Sequence, residues 1–168
     1  MISPLIRTAL MVRDLNRSLR FYRDLLGLTE THLPPVDLAA TTSWKLLGWN
    51  APGPLRATIL KVPGPNFGML GLFETAHSSS NSTAGARHGM EIGESAIVFY
   101  CTNLEEILGR LDDFGGRIVG GPEIFSVAGS DIRPVCEVIL RDPDGFAVNL
   151  IQTDPKLAYE EKPVRFGA

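Results

Sequence analysis

The sequence predicts an α+β fold of two βαβββ modules whose paired, curved mixed sheets surround a cleft. Three observations carry this. The order strand, helix, three strands is written twice along the 168 residues. Each helix begins at a capping residue placed at the same offset from its strand. The second copy ends on a hairpin with distinctive turn chemistry. One domain of this size accommodates both modules around a shared core: a first module over 5–74, a linker over 75–93, a second module over 94–152 and a tail over 153–168.

The terminal hairpin is Asp142-Pro143-Asp144-Gly145, flanked by the apolar runs Val135–Leu140 and Phe146–Ile151. Pro143 presets φ for the second turn position, Asp142 accepts backbone N–H bonds, and Gly145 takes the closing position. At the other end of the chain, Leu5 to Val12 reads as a strand. Ile6, Thr8, Leu10 and Val12 share one face, while Arg7, Ala9 and Met11 share the other. Asp14 is a good N-cap, and Leu15, Leu19, Tyr22 and Leu26 recur at helical spacing until Gly27. Leu28 to Leu33 is a short strand that Pro34-Pro35 breaks, opening an irregular segment, 36–54, with Trp44 and Trp49. Arg56–Val62 and Phe67–Phe73 are strands joined by the turn Pro63-Gly64-Pro65.

After the polar stretch His77–Gly85 the order restarts. Ser95–Cys101 is a strand, and Asn103 caps a helix with the stripe Leu104, Ile107, Leu108 and Leu111. Gly115-Gly116 ends it, and a further strand begins at Arg117. Overlaying the halves puts Asp14 on Asn103, and Arg7, Ala9 and Met11 on Ala96, Val98 and Tyr100. The hairpins overlay as Val62-Pro63-Gly64 on Asp142-Pro143-Asp144 and Gly71–Glu74 on Asn149–Gln152.

Composition narrows the function classes. Hydrophobic content of 44% and charged content of 21% fit a globular protein. A net charge of −3 leaves no basic excess to neutralise phosphates, so neither nucleic acid nor an acidic membrane is an expected partner. No apolar run approaches the roughly 20 residues needed to span a bilayer, and Met1-Ile2-Ser3-Pro4 starts no signal peptide. A cytoplasmic location is expected. Cys101 and Cys136 fall in apolar strands and read as buried free thiols.

The run Val12-Arg13-Asp14-Leu15 through Phe21-Tyr22-Arg23-Asp24-Leu25-Leu26-Gly27-Leu28, with the Asp142-Pro143-Asp144-Gly145 hairpin and the repeat, resembles the vicinal oxygen chelate superfamily. That superfamily groups glyoxalase I, extradiol dioxygenases, methylmalonyl-CoA epimerase, fosfomycin-modifying enzymes and bleomycin-binding proteins. The resemblance implies a divalent metal held by His, Gln or Glu side chains on the first and last strands of each module. The matching positions here are Arg7 and Ala96 on the first strands, and Gly71 and Asn149 on the last. Arg is a permanent cation that only donates, Ala and Gly have no ligand atom, and Asn149 brings one weak oxygen. A register one residue away gives Thr8, Ile97, Leu72 and Leu150, which is no better. No divalent metal is expected at the family positions, and no other cofactor. His32, His77, His88, Glu74 and Glu91 remain as donors without any short ligand spacing; a loop-borne metal and plain surface residues are both open.

On this strand phase the cleft face of the first module carries Arg7, Ala9, Met11, Phe67, Met69, Gly71 and Phe73. The second module adds Ala96, Val98, Tyr100, Ala147, Asn149 and Ile151. Such a surface suits a small, largely apolar organic ligand with a few orienting contacts. Arg7 among apolar neighbours needs an acceptor, either an anionic ligand group or an internal carboxylate such as Glu74 or Glu137. Asn149 orients a ligand oxygen or satisfies backbone, and Tyr100 is a proton donor or a packed ring. The Trp44–Trp49 segment is a lid or a surface loop.

Two function classes follow. One is a binding protein for a small, largely apolar organic molecule, with or without an anionic group, working as a homodimer. The other is a lyase, isomerase or dioxygenase of the same superfamily, metal-free or with an atypical metal site, with Arg7 and Tyr100 as candidate catalytic residues.

Overall fold

A computed structural model describes residues 2–76, 89–125 and 135–153, in two compact units spanning Met1–Thr83 and Ala84–Ala168. The Ser-rich stretch with His77, the neighbouring His88, and the tail after Thr153 lie outside the described residues.

The first unit is a four-stranded mixed sheet. Its strands are β1 (Arg7–Val12), β2 (Glu30–Asp37), β3 (Leu55–Lys61) and β4 (Met69–Thr75), in the order β1-β4-β3-β2. β1 runs parallel to β4, and the other pairs are antiparallel. Parallel strands need a crossover connection, and here the chain leaves β1 through α1 (Leu15–Leu19), continued by a wider π-type turn over Arg20–Leu25, before the meander β2-β3-β4. Asp14 caps it as the sequence predicts, its Oδ1 accepting from the Arg17 N–H at 3.0 Å. Glu74 at the end of β4 adds a second acceptor, taking the Leu15 N–H at 2.7 Å. These two anchors fix where the helix meets the sheet. Leu10, Leu72 and Thr58 form a row across β1, β4 and β3 beneath the buried Leu15, Phe21 and Tyr22. Asp14→Ala is expected to lose about 1 kcal/mol in urea unfolding, while Asp14→Asn should lose only a fraction of that.

β2 corrects the reading of Pro34-Pro35 as a strand breaker, since the strand continues through them to Asp37. It is an edge strand, where a missing N–H removes no obligatory ladder bond. The irregularity appears instead as register shifts between Thr31 and Leu33 and between Leu33 and Val36. The Trp segment holds one short helix, α2 (Ser43–Leu46), with both tryptophans partly buried.

The second unit repeats the plan. Its strands are β5 (Ala96–Cys101), β6 (Arg117–Phe125), β7 (Val135–Arg141) and β8 (Ala147–Gln152), ordered β5-β8-β7-β6. The helix is α3 (Leu104–Arg110), followed by a short 3₁₀ turn, Asp112–Phe114. The register matches that of the first unit: Ala9 pairs with Gly71 as Val98 pairs with Asn149. β6 shifts register twice, as β2 does. One chemical difference breaks the symmetry. Asn103, the counterpart of Asp14, makes no capping bond; its Nδ2 donates to Glu106 at 3.4 Å. The hairpin forms as its residues dictate, with Asp142 Oδ1 accepting the N–H groups of Asp144 (2.9 Å) and Phe146 (2.8 Å).

Cys101 and Cys136 are both free. They flank Gln152 on opposite sides of β8, roughly 10 Å apart at two strand spacings, beyond the reach of a disulfide without backbone movement. Burial pushes the Cys101 thiol up and keeps it protonated. No helix among the described residues is long and apolar enough to cross a membrane.

Candidate functional site

Each sheet has a helix on one face, and the strand alternation sends a second set of side chains to the other. In the first unit that helix-free face carries Arg7, Ala9 and Met11 from β1 beside Met69, Gly71 and Phe73 from β4. Gly71 lies diagonally next to Arg7. A Cβ on Gly71 would sit 3.0 Å from Arg7 Cδ and 2.9 Å from Phe73 Cε2. The absence of a side chain there lets the Arg7 stem and the Phe73 ring close over the strand. The guanidinium carbon lies 6.0 Å from the Phe73 ring centroid, a loose cation–π contact.

Arg7 itself is exposed, not interior. The expectation of a buried charge fails because β1 is an edge strand, so the head group keeps its water while the stem packs. Among the described residues of its unit it has no carboxylate partner. Glu74, one candidate, points to the helix face, where it holds the Leu15 N–H and lies 3.5 Å from Arg56. Phe67 is also displaced from its expected place: β4 starts at Met69, and Phe67 is exposed in the preceding turn.

In the second unit the helix-free face carries Ala96, Val98 and Tyr100 from β5, with Ala147, Asn149 and Ile151 from β8. Val98 and Tyr100 are 55% and 50% exposed, again on an edge strand. The Tyr100 hydroxyl has no hydrogen-bond partner among the described residues. Asn149 Nδ2 donates to Glu137 Oε2 at 3.1 Å, which leaves Asn149 Oδ1 buried without a donor.

The residues at the family's metal positions do not fit a metal. Arg7 brings positive charge, Gly71 and Ala96 bring no donor, and Asn149 offers one amide oxygen. Among the described residues no three His, Cys, Asp or Glu side chains converge. His32 is exposed on the edge strand β2, Glu74 is occupied at the helix terminus, and Glu91 is exposed in a turn.

Sequence reasoning missed the most buried charge in the second unit. Arg141, 1% exposed, donates to both Glu94 oxygens at 3.1 and 2.9 Å, to Gly145 O at 3.1 Å and to Gly89 O at 2.6 Å. It ties the segment before β5 to the terminal hairpin. The repeat held the clue: Lys61 closes β3 as Arg141 closes β7, and it too pairs with a carboxylate, Glu30, at 3.2 Å.

Two βαβββ units in matched register, each backed by one helix and open on its other sheet face, define the glyoxalase type of α+β fold. The chain belongs to the Glyoxalase/Bleomycin resistance protein/Dioxygenase superfamily, whose family model matches residues 5–150. Among solved structures it is similar to a glyoxalase family protein from Bacillus cereus, at 14% identity and a TM-score of 0.68, covering 90% of this chain and 94% of that one. It is also similar to the trypanothione-dependent glyoxalase I of Leishmania major, at 17% identity and a TM-score of 0.57, covering 95% and 91%. The fosfomycin resistance protein FosX of Listeria monocytogenes matches at 16% identity and a TM-score of 0.51, covering 92% and 94%. At these identities the likeness is one of fold. Comparison with curated proteins gives no match.

Proposed function

We propose that this chain is a ligand-binding member of its superfamily that carries no divalent metal at the family positions and holds a small, largely apolar organic anion through Arg7. The observation that supports the reading is the arrangement of Arg7: its stem is seated on Gly71 and Phe73, while its planar fork faces solvent without a carboxylate in its unit. A guanidinium so placed donates two parallel N–H···O bonds to a carboxylate, or charge-assisted bonds to the single oxygen of an enolate or phenolate. Phe73 and Met11 supply apolar surface for the rest of the ligand.

Calorimetric titration of metal-free protein with 3-phenylpropionate, against 3-phenylpropanol, tests this. Arg7→Gln is expected to weaken the anion by about 10- to 100-fold, as loss of a hydrogen bond to a charged group implies, and to leave the alcohol unchanged. Equal affinity of wild type and variant for the anion would overturn the assignment.

The second reading, a lyase, isomerase or dioxygenase of the same superfamily, is favoured by half-exposed Tyr100, whose hydroxyl has no hydrogen-bond partner among the described residues and can contact a ligand as a general acid–base group. Metal-free turnover lost in Tyr100→Phe would establish it. The proposal also places the protein in the cytoplasm as a homodimer. Two free cysteines suit a reducing compartment, and the edge strands β1 and β5 expose Met11, Val98 and Tyr100 to a partner copy.

A further inference from the structure

The second unit contains a groove of about 230 Å³ formed by β6 and β7. Its walls include Glu123, Ile124 and Phe125 from β6 and Glu137 and Ile139 from β7. The backbone at Gly121 creates it. Gly121 has φ of +86°, and a Cβ there would meet Glu137 O at 2.6 Å, so β6 is pressed against β7 at this point. The strand then resumes pairing after the second of its two register shifts, at Glu123 opposite Glu137. The space left beside this bend is the groove.

Its charge is unbalanced. Glu123 and Glu137 are direct cross-strand partners, an arrangement that like charges disfavour. Neither has a Lys or Arg partner among the described residues. The one donor that reaches Glu137 is the neutral Asn149 Nδ2, and that bond leaves Asn149 Oδ1, an acceptor, buried and unpaired beside it. Beside the groove, β6, β7 and β8 therefore place two carboxylates and an orphan amide oxygen, and no Lys or Arg is paired to these carboxylates among the described residues. The rest of the wall is apolar, with Phe125 and Ile124 largely exposed.

We propose that this groove binds an organic cation: an ammonium or guanidinium group carrying a short apolar or aromatic body. The cation sits between the Glu123 and Glu137 carboxylates, which relieves their repulsion and adds charge-assisted hydrogen bonds. The body lies against Phe125 and Ile139, which share the sheet face of the two carboxylates, and an aromatic ring there adds attraction for the positive group. A bare hard cation would use the carboxylates but leave the apolar wall without a function, and it prefers six or more oxygen ligands. The site belongs to the second unit alone and does not depend on Arg7.

Two probes with one body, 3-phenylpropylammonium and 3-phenylpropanol, and calcium ion alone separate the contributions, each titrated into the full chain at low salt and followed by amide chemical shifts. The expected result is saturable binding of the ammonium, with shifts at Phe125, Glu137 and Ile139. Glu123→Gln and Glu137→Gln should each weaken it about tenfold, and the alcohol should bind at least as much more weakly in the wild type. Both substitutions keep side-chain volume, and far-UV circular dichroism confirms that each variant is folded. Added salt should weaken the complex, as partly exposed charges require. Ammonium binding of equal strength in the double Gln variant would overturn the proposal. So would calcium binding that excludes the ammonium, which would make the groove a metal site, and so would shifts confined to other residues.

Discussion

Replacing Arg141 by methionine is expected to cost about 3–5 kcal/mol of stability, the range for breaking a buried ion pair from one side. In their ion pair the Arg141 side chain is 2% exposed and that of Glu94 11%. Without Arg141 the Glu94 carboxylate keeps its desolvation cost and loses both bidentate bonds, and two backbone carbonyls, of Gly89 and Gly145, lose a donor. Chemical denaturation with fluorescence detection reads the loss. Arg141→Lys should recover only part of it, because an ammonium cannot reproduce the planar fork. A double change, Arg141→Met with Glu94→Gln, should be milder than Arg141→Met alone, since it removes the stranded charge. If all three variants unfold at the wild-type midpoint, the pair is not the tie between the segment before β5 and the hairpin.

The second large effect is expected at Gly121. An alanine there must adopt a left-handed conformation and place its Cβ 2.6 Å from a backbone carbonyl, Glu137 O, which no side-chain rotation relieves. Strain and overpacking together predict a loss of roughly 2–5 kcal/mol. Gly120, one residue earlier, is the control. It has open space around its would-be Cβ and no positive φ, so Gly120→Ala should be neutral or stabilise by a few tenths of a kcal/mol. Thermal unfolding of the two variants side by side measures the difference, and similar midpoints would contradict the described bend of β6.

The repeat, the alternation along each strand and the turn chemistry are local or periodic properties, and they were readable from the residues. That is why the faces of β1, β4, β5 and β8, and the Asp142 turn, needed the sequence alone. Exposure was not readable in the same way. Arg7 was placed on the right face but expected to be buried, because burial depends on whether β1 is an edge or a centre strand, and strand order is non-local. The same missing knowledge misread Pro34-Pro35, which break an inner strand but are tolerated at the edge that β2 occupies. Arg141 and Glu94 are 47 residues apart, and no motif joins them. Their pairing follows only from where β7 ends against the segment leading into β5. Glu74 was weighed as a partner for Arg7 and is instead the second anchor of α1, since the alternation of β4 carries it to the helix face.

A guanidinium, and no metal ligand, stands at the first-strand position of the first module. Elemental analysis of the chain purified without chelators, beside an Arg7→His variant, tests it most directly. Far less than one transition-metal ion per wild-type chain is expected. A stoichiometric metal in the wild type that survives dialysis would contradict it, because Arg7, Gly71, Ala96 and Asn149 together cannot supply the donors such an ion needs.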